Sequence, residues 1–203
     1  HQLTSGVAGL LRLHGVKVVE GEARFIGRGE VELTRRDGSR ETMDADDLVI
    51  ASGSVNAVPP IPGLREVPAC IDSTGALGLK RLPDSMVVIG GGEIGVELAC
   101  AYAAFGTEVT IVEALDHMLP MLDGDLTTVG VRHMERMGIK LHLSCPVQRV
   151  EERAAGASVI CMDKDTGKEV SFEAEKVLVA VGRVPNTASL DLAAGGIDAE
   201  RGA

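Results

Sequence analysis

Short apolar runs that end in glycine set the pattern of this chain. Met86-Val-Val-Ile89 and Val177-Leu-Val-Ala180 are unbroken aliphatic runs bounded by turn residues, the pattern of parallel strands buried on both faces. Between them the spacing changes. Val96, Ala99, Cys100, Ala103 and Ala104 recur at helical intervals, and Glu108-Val-Thr-Ile-Val-Glu113 returns to strand character. Residues 86–113 therefore read as strand, loop, helix, strand. Further helices are predicted near 123–137 and over 3–13.

The pattern occurs twice. Gly15-Val-Lys-Val-Val, Glu30-Val-Glu-Leu, Asp37-Gly38 and Asp47-Leu-Val-Ile-Ala-Ser-Gly53 are followed later by Gly138-Ile-Lys-Leu-His, Ser158-Val-Ile-Cys, Thr166-Gly167 and Lys176-Val-Leu-Val-Ala-Val-Gly182. The opening glycines are 123 residues apart and the closing ones 129. Each copy reads as a strand, a β-meander with a glycine turn, then a buried strand ending in glycine, so an internal duplication is inferred. A complete strand–loop–helix–strand unit precedes the second copy, whereas only the 3–13 helix precedes the first. The first copy thus lacks its opening half, and the chain is expected to be the middle of a longer protein. Prolines 59, 60, 62, 68 and 83 mark the join, with the boundary placed between Asp72 and Pro83: 1–78 and 79–203 are the expected domains.

Composition narrows the partners. The 203 residues carry 20 Lys and Arg against 30 Asp and Glu, a net charge of −10. That balance disfavours nucleic acid, whose phosphates need clustered cations, and an anionic membrane surface. No apolar stretch approaches the roughly 20 residues that span a bilayer. With three Phe, one Tyr and no Trp, the core must be aliphatic. Cys70, Cys100, Cys145 and Cys161 are separated by 30, 45 and 16 residues, without disulfide or zinc spacing, and read as free thiols in a reducing cytoplasm. The five histidines are scattered, so no metal site is expected.

The segment from 89 to 113 carries the chemistry. Gly90, Gly92 and Gly95 form G-x-G-x-x-G between a strand and a helix, and Glu113 closes the next strand 18 residues later. In that context the pattern is specific for a dinucleotide. Gly90 permits the turn, Gly92 admits the pyrophosphate, and Gly95 allows close helix packing. The helix N-terminus offers N–H groups and a positive dipole end to the phosphates. Glu113 can accept both adenosine ribose hydroxyls and would repel a 2′-phosphate. No Arg or Lys occurs between 106 and 131, so NAD is expected over NADP. Glu97 is either a solvated helix carboxylate or a group directed toward the reacting end of the cofactor.

Ile71-Asp-Ser-Thr-Gly-Ala-Leu77, Ile89-Gly-Gly-Gly-Glu-Ile-Gly-Val-Glu-Leu98, Val109-Thr-Ile-Val-Glu113 and Val179-Ala-Val-Gly-Arg-Val-Pro-Asn186 together resemble the FAD-dependent pyridine nucleotide–disulfide oxidoreductases. Among these, they look most like the dihydrolipoamide dehydrogenases; mercuric reductase-like and transhydrogenase-like flavoproteins are the alternatives within the family. A non-catalytic NAD-binding module is the alternative outside it. The resemblance runs from Leu3 to Ala203. It implies an α/β fold: a Rossmann-like three-layer NAD-binding domain with a β-meander (79–203), and the partial second half of a duplicated FAD-binding domain (1–78). Gly90, Gly91, Gly92, Glu93, Ile94, Gly95 and Glu97 would cradle NAD and reach toward nicotinamide. Glu113 would hold the ribose, Val147 would line the adenine pocket, and Gly182 would touch NAD. Ser52, Gly53, Ser54 and Ala23 would contact FAD, with Ser52 in place of the family's Thr and Val55-Asn56 departing from its usual continuation.

The activity implied is oxidation of a dihydrolipoyl group, with hydride passed through FAD to NAD. The implied partners are a dihydrolipoyl-bearing protein of a 2-oxo acid dehydrogenase complex and, for the parent, a second copy of itself. The redox Cys pair, the FAD glycine loop and the dimerisation domain with its His–Glu pair would fall outside residues 1–203. The chain alone is therefore expected to bind NAD, to lack the redox disulfide, and to contribute no catalytic residue.

Overall fold

The computed structural model describes residues 2–200. The chain divides into two compact units, His1–Ser54 with Pro185–Ala203, and Val55–Val184. In chain order the elements are α1 (Gln2–Leu13), β1 (Glu22–Gly27), β2 (Glu30–Thr34), β3 (Arg40–Asp44), β4 (Ser54–Asn56), β5 (Cys70–Ile71), α2 (Ser73–Leu77), β6 (Ser85–Ile89), α3 (Glu93–Ala104), β7 (Glu108–Val112), α4 (Gly124–Arg136), β8 (Lys140–His142), β9 (Val147–Arg153), β10 (Gly156–Asp163), β11 (Lys168–Ala174), β12 (Lys176–Val179) and β13 (Arg183–Pro185). Strands β13 and β4 pair with one another.

In the unit Val55–Val184 the apolar runs become a five-stranded parallel sheet of order β5-β12-β6-β7-β8. Successive side chains of a strand point to opposite faces, and here both faces are covered. Val87 and Ile89 of β6 enter a core with Val112, Val177 and Val179 under the meander β9–β10–β11. Met86 and Val88 enter the other core, with Ile111, Leu178, Ala99 and Met134 under the helices. This is why β6 and β12 read as unbroken apolar runs. The result is a mixed α/β architecture of meander, sheet and helices. Cys70–Ile71, ahead of the expected boundary at 78/79, is the edge strand of this same sheet.

The strand order also locates a crevice. From β6 the chain steps outward through α3 to β7 and through α4 to β8. It then returns on the other side of β6 as β12. The loops after β6 and β12 therefore diverge, and open α/β sheets bind ligands at such a switch point, beyond the carboxyl ends of the strands.

The other unit holds the matching meander β1–β2–β3. Its buried side chains include Phe25 and Leu33, and Phe25 N–H donates to Leu190 O at 2.8 Å. The remaining sequence expectation for this copy is corrected. Residues 15–19 and 47–53 form no strand. A parallel strand exists only if a neighbour takes up its N–H and C=O groups. Among the described residues none pairs with these runs, and Val18 and Val49 are exposed. In the second copy, β7 pairs Lys140–His142 and β6 pairs Lys176–Val179.

Candidate dinucleotide site

The glycine loop leaves β6 at the crevice. Gly90 has φ +109, and a Cβ there would lie 2.4 Å from Ala180 O on β12's exit; only glycine makes that turn at low cost. Its N–H donates to Val112 O at 2.9 Å. Gly95, in the first turn of α3, faces the loop so closely that a Cβ would lie 2.2 Å from Gly90 O. That approach sets the helix down on the sheet. Gly92 caps α3 with φ −79 and no side-chain hydrogen bond. A Cβ at Gly92 would meet nothing within 4 Å, so that backbone faces open space.

Glu113 follows β7, and its carboxylate is turned back onto the loop. Gly91 N–H donates to Glu113 Oε2 at 2.6 Å and Leu115 N–H donates to Oε1 at 2.8 Å. Glu113 is only half-buried, and a carboxylate has about four acceptor positions, so capacity remains for ligand hydroxyls. From the other side Leu119 N–H donates to Gly91 O at 2.8 Å, with Leu119 itself at φ 52. Bulky residues rarely adopt that region. Gly91 is thus held at both its N–H and its C=O.

These groups line one cavity of about 420 Å³. Gly90, Gly92, Glu93, Ile94, Glu113, Val147 and Gly182 all contribute to its wall. Gly91 and Gly95 support that wall from behind. Glu97 is exposed on α3 and is not part of the lining. The wall is mostly apolar, carries the carboxylates of Glu93 and Glu113, and contains no Lys or Arg. An anion entering it meets the uncapped N-terminus of α3, the one source of positive potential in the lining. The residues fit a dinucleotide: an open glycine at a helix start for phosphate, a carboxylate for sugar hydroxyls, and aliphatic walls for a base.

The flavin residues expected from the sequence lie in the other unit. Ala23 is exposed on β1, opposite Leu33. Ser52 and Gly53 form a turn whose carbonyls accept from Asn186 Nδ2 at 3.3 Å and Asn186 N–H at 2.9 Å. Gly53 has φ +72 and space around its would-be Cβ, leaving one face of the turn open beside Ser54.

Some wall residues escaped the sequence reading. Ile61 enters from the proline-rich segment, and Leu115, Pro120 and Cys145 from the loops after β7 and β8. Cys145 N–H donates to Glu113 O at 2.8 Å, and Cys145-Pro146 adjoins Val147, the one signal that could have found it. Lys164, in the turn after β10 and outside the lining, also escaped: its Nζ donates to Ala114 O, a wall residue, at 3.1 Å.

The chain is similar to known proteins along nearly its whole length. The sequence profile of the family described as "Pyridine nucleotide-disulphide oxidoreductase" matches residues 1–203. The dihydrolipoyl dehydrogenase of Bacillus subtilis is 39% identical over 199 residues, covering 98% of this chain and 41% of the relative. That of Halobacterium salinarum is 38% identical, covering 97% and 42%. Among solved structures, the HOCl-induced flavoprotein disulfide reductase RclA from Escherichia coli superposes with a TM-score of 0.81 at 32% identity, covering 100% of this chain and 46% of that one. LpdA from Mycobacterium tuberculosis superposes with 0.85 at 28% identity, covering 99% and 44%. The chain spans about two fifths of the length of the curated relatives it matches.

Proposed function

The chain belongs to the pyridine nucleotide-disulphide oxidoreductases, and on that premise we propose that the cavity between the β6 and β12 loops binds NAD(H) as the hydride partner of a flavin. We further propose that the whole protein oxidises a dihydrolipoyl group borne by a protein of a 2-oxo acid dehydrogenase complex and acts as a homodimer. Residues 79–203 are then the NAD part, and Ala23, Ser52, Gly53 and Ser54 form part of a flavin site. Similarity to dihydrolipoyl dehydrogenases over nearly the whole chain supports the substrate class.

When bound, flavin and nicotinamide supply the hydride chemistry, and the protein contributes position and field. Gly92 leaves room for the pyrophosphate, and the N–H groups of the first turn of α3 neutralise it. Glu113 accepts the ribose hydroxyls while its other lone pairs hold Gly91 and Leu115. Ile61, Ile94, Val147 and Val181 exclude water from the walls.

One observation carries the reading: Gly92 faces open space while Gly90, Gly91 and Gly95 are each locked by a backbone or side-chain neighbour. Replacing Gly92 by Val tests it. At φ −79 the backbone accepts Val, so the melting temperature should hold while NADH binding falls at least about tenfold in a fluorescence titration. Unaltered binding in a folded variant would remove the assignment.

A further inference from the structure

The sequence between 106 and 131 offers no cation to a 2′-phosphate, but the fold brings one in from elsewhere. Lys164 lies in the turn joining β10 to β11, 50 residues from Ala114, and its Nζ donates to Ala114 O at 3.1 Å, at the residue next to Glu113. We propose that Lys164 is a latent 2′-phosphate counter-charge at the ribose end of the cavity, kept silent by Glu113, so that coenzyme choice is set by this pair of residues. The inference rests on reading the cavity as a dinucleotide site.

The lysine is anchored at its base, and its tip is held by one hydrogen bond to a neutral carbonyl. Its backbone N–H donates to Ser144 O at 3.0 Å. The turn is fixed by Asp163, whose Oδ1 accepts from Asp165 N–H at 2.8 Å and Thr166 N–H at 3.0 Å. The ammonium forms no ion pair among the described residues and bonds a neutral carbonyl, leaving two of its three donors available. The neighbouring carboxylate, Asp116, is hydrogen-bonded to His117 Nδ1 at 2.6 Å; that contact first, and the charge of Lys164 to a smaller extent, hold its carboxyl below the usual range. Ser144 N–H in turn donates to Leu115 O at 2.7 Å. One network therefore joins the lysine's turn, the β8 exit and the loop that carries Glu113.

A 2′-phosphate on a ribose held by Glu113 would then meet Glu113 and, beside the cavity-lining Ala114, the lysine that bonds it. Glu113, fixed by two N–H donors, meets the phosphate with like charge. Lys164, whose Nζ bonds a neutral carbonyl, can turn a remaining N–H donor to a phosphate oxygen or exchange Ala114 O for one. With Glu113 in place, the repulsion dominates. Once its carboxylate is removed, the lysine is left facing the sugar, and a charge-assisted hydrogen bond to phosphate becomes available.

The test is a set of NADH and NADPH titrations on the full protein and on Glu113→Ala, Lys164→Met, Glu113→Ala/Lys164→Met and Glu113→Ala/Lys164→Arg. Each variant is accompanied by a thermal melt. Glu113→Ala should raise the ratio of NADPH to NADH affinity about tenfold, the scale of one charge-assisted bond. Lys164→Met should cancel that gain and Lys164→Arg should keep it. The gain should shrink as salt rises. A purely structural lysine would move both coenzymes together and leave the ratio alone. That result, or a gain that survives Lys164→Met, overturns the proposal. Should Glu113→Ala fail to fold, Glu113→Gln, which removes the charge and keeps the size of the side chain, takes its place: it must raise the ratio, Lys164→Met must cancel that gain, and a ratio insensitive to Lys164 overturns the proposal equally. If the unaltered protein binds neither coenzyme, the dinucleotide reading itself fails, which is a different outcome from an insensitive ratio.

Discussion

Glu113 Oε2 accepts a hydrogen bond from Gly91 N–H at 2.6 Å, across 22 residues of chain. The carboxylate expected to recognise a sugar is therefore also the clip that fixes the glycine loop. Its removal should cost more than a ligand contact. Glu113→Ala should weaken NADH about tenfold to a hundredfold, the worth of hydrogen bonds to a charged group. It should also narrow the preference over NADPH. Calorimetric titration of both coenzymes checks this, and an unaltered NADH affinity would show that Glu113 serves neither purpose.

Gly95→Ala should separate stability from binding chemistry. The new Cβ would be placed 2.2 Å from Gly90 O, a backbone atom that cannot swing aside. Overpacking of this kind costs about 2 kcal/mol. A denaturant titration should show the loss, with NADH affinity falling as the loop shifts. Full stability in the variant would mean that α3 does not rest on the loop as described.

Tyr102 ties α3 to α2, its hydroxyl donating to Ala76 O at 2.6 Å in a buried position. Tyr102→Phe keeps the ring and leaves Ala76 O with its bond from Leu79 N–H at 3.2 Å, so the protein should lose about 1 kcal/mol. Chemical denaturation reads this directly, and a neutral result would mean that water replaces the hydroxyl.

The protein should be alkali-sensitive. Burial raises the thiol of Cys70 to about 11 and pushes up those of Cys100, Cys145 and Cys161. The unfolded chain releases these protons near pH 8.5. Above that value the folded state holds more protons than the unfolded one, so stability falls as pH rises. Below it the contribution is fully present. Melting temperatures should decline from about pH 8.5 upward, and the decline should be shallower in Cys161→Ala. A slope identical in that variant would contradict the assignment to Cys161.

The unit Val55–Val184 was legible because its own residues cover both faces of its strands. Val87 and Ile89 meet the meander, and Met86 and Val88 meet the helices, so the apolar run carries its meaning within the chain. Residues 47–53 show the same composition, yet no strand forms, because a parallel strand is defined by neighbours that composition does not encode. Within the site, the spacing of Gly90, Gly92, Gly95 and Glu113 pointed to the loop and to a carboxylate beside it. It could not report that Glu113 turns back onto Gly91, since period and spacing fix where a side chain starts and not what it bonds. Lys164 was invisible for a related reason: a window along the chain misses a contact made through a turn of a different sheet.

The most direct measurement is a calorimetric titration of the protein with NADH and with NADPH at one salt concentration. The account predicts saturable NADH binding at one site, at least tenfold tighter than NADPH, about 1.4 kcal/mol. Equal affinities, or binding that survives Gly92→Val intact, would contradict it.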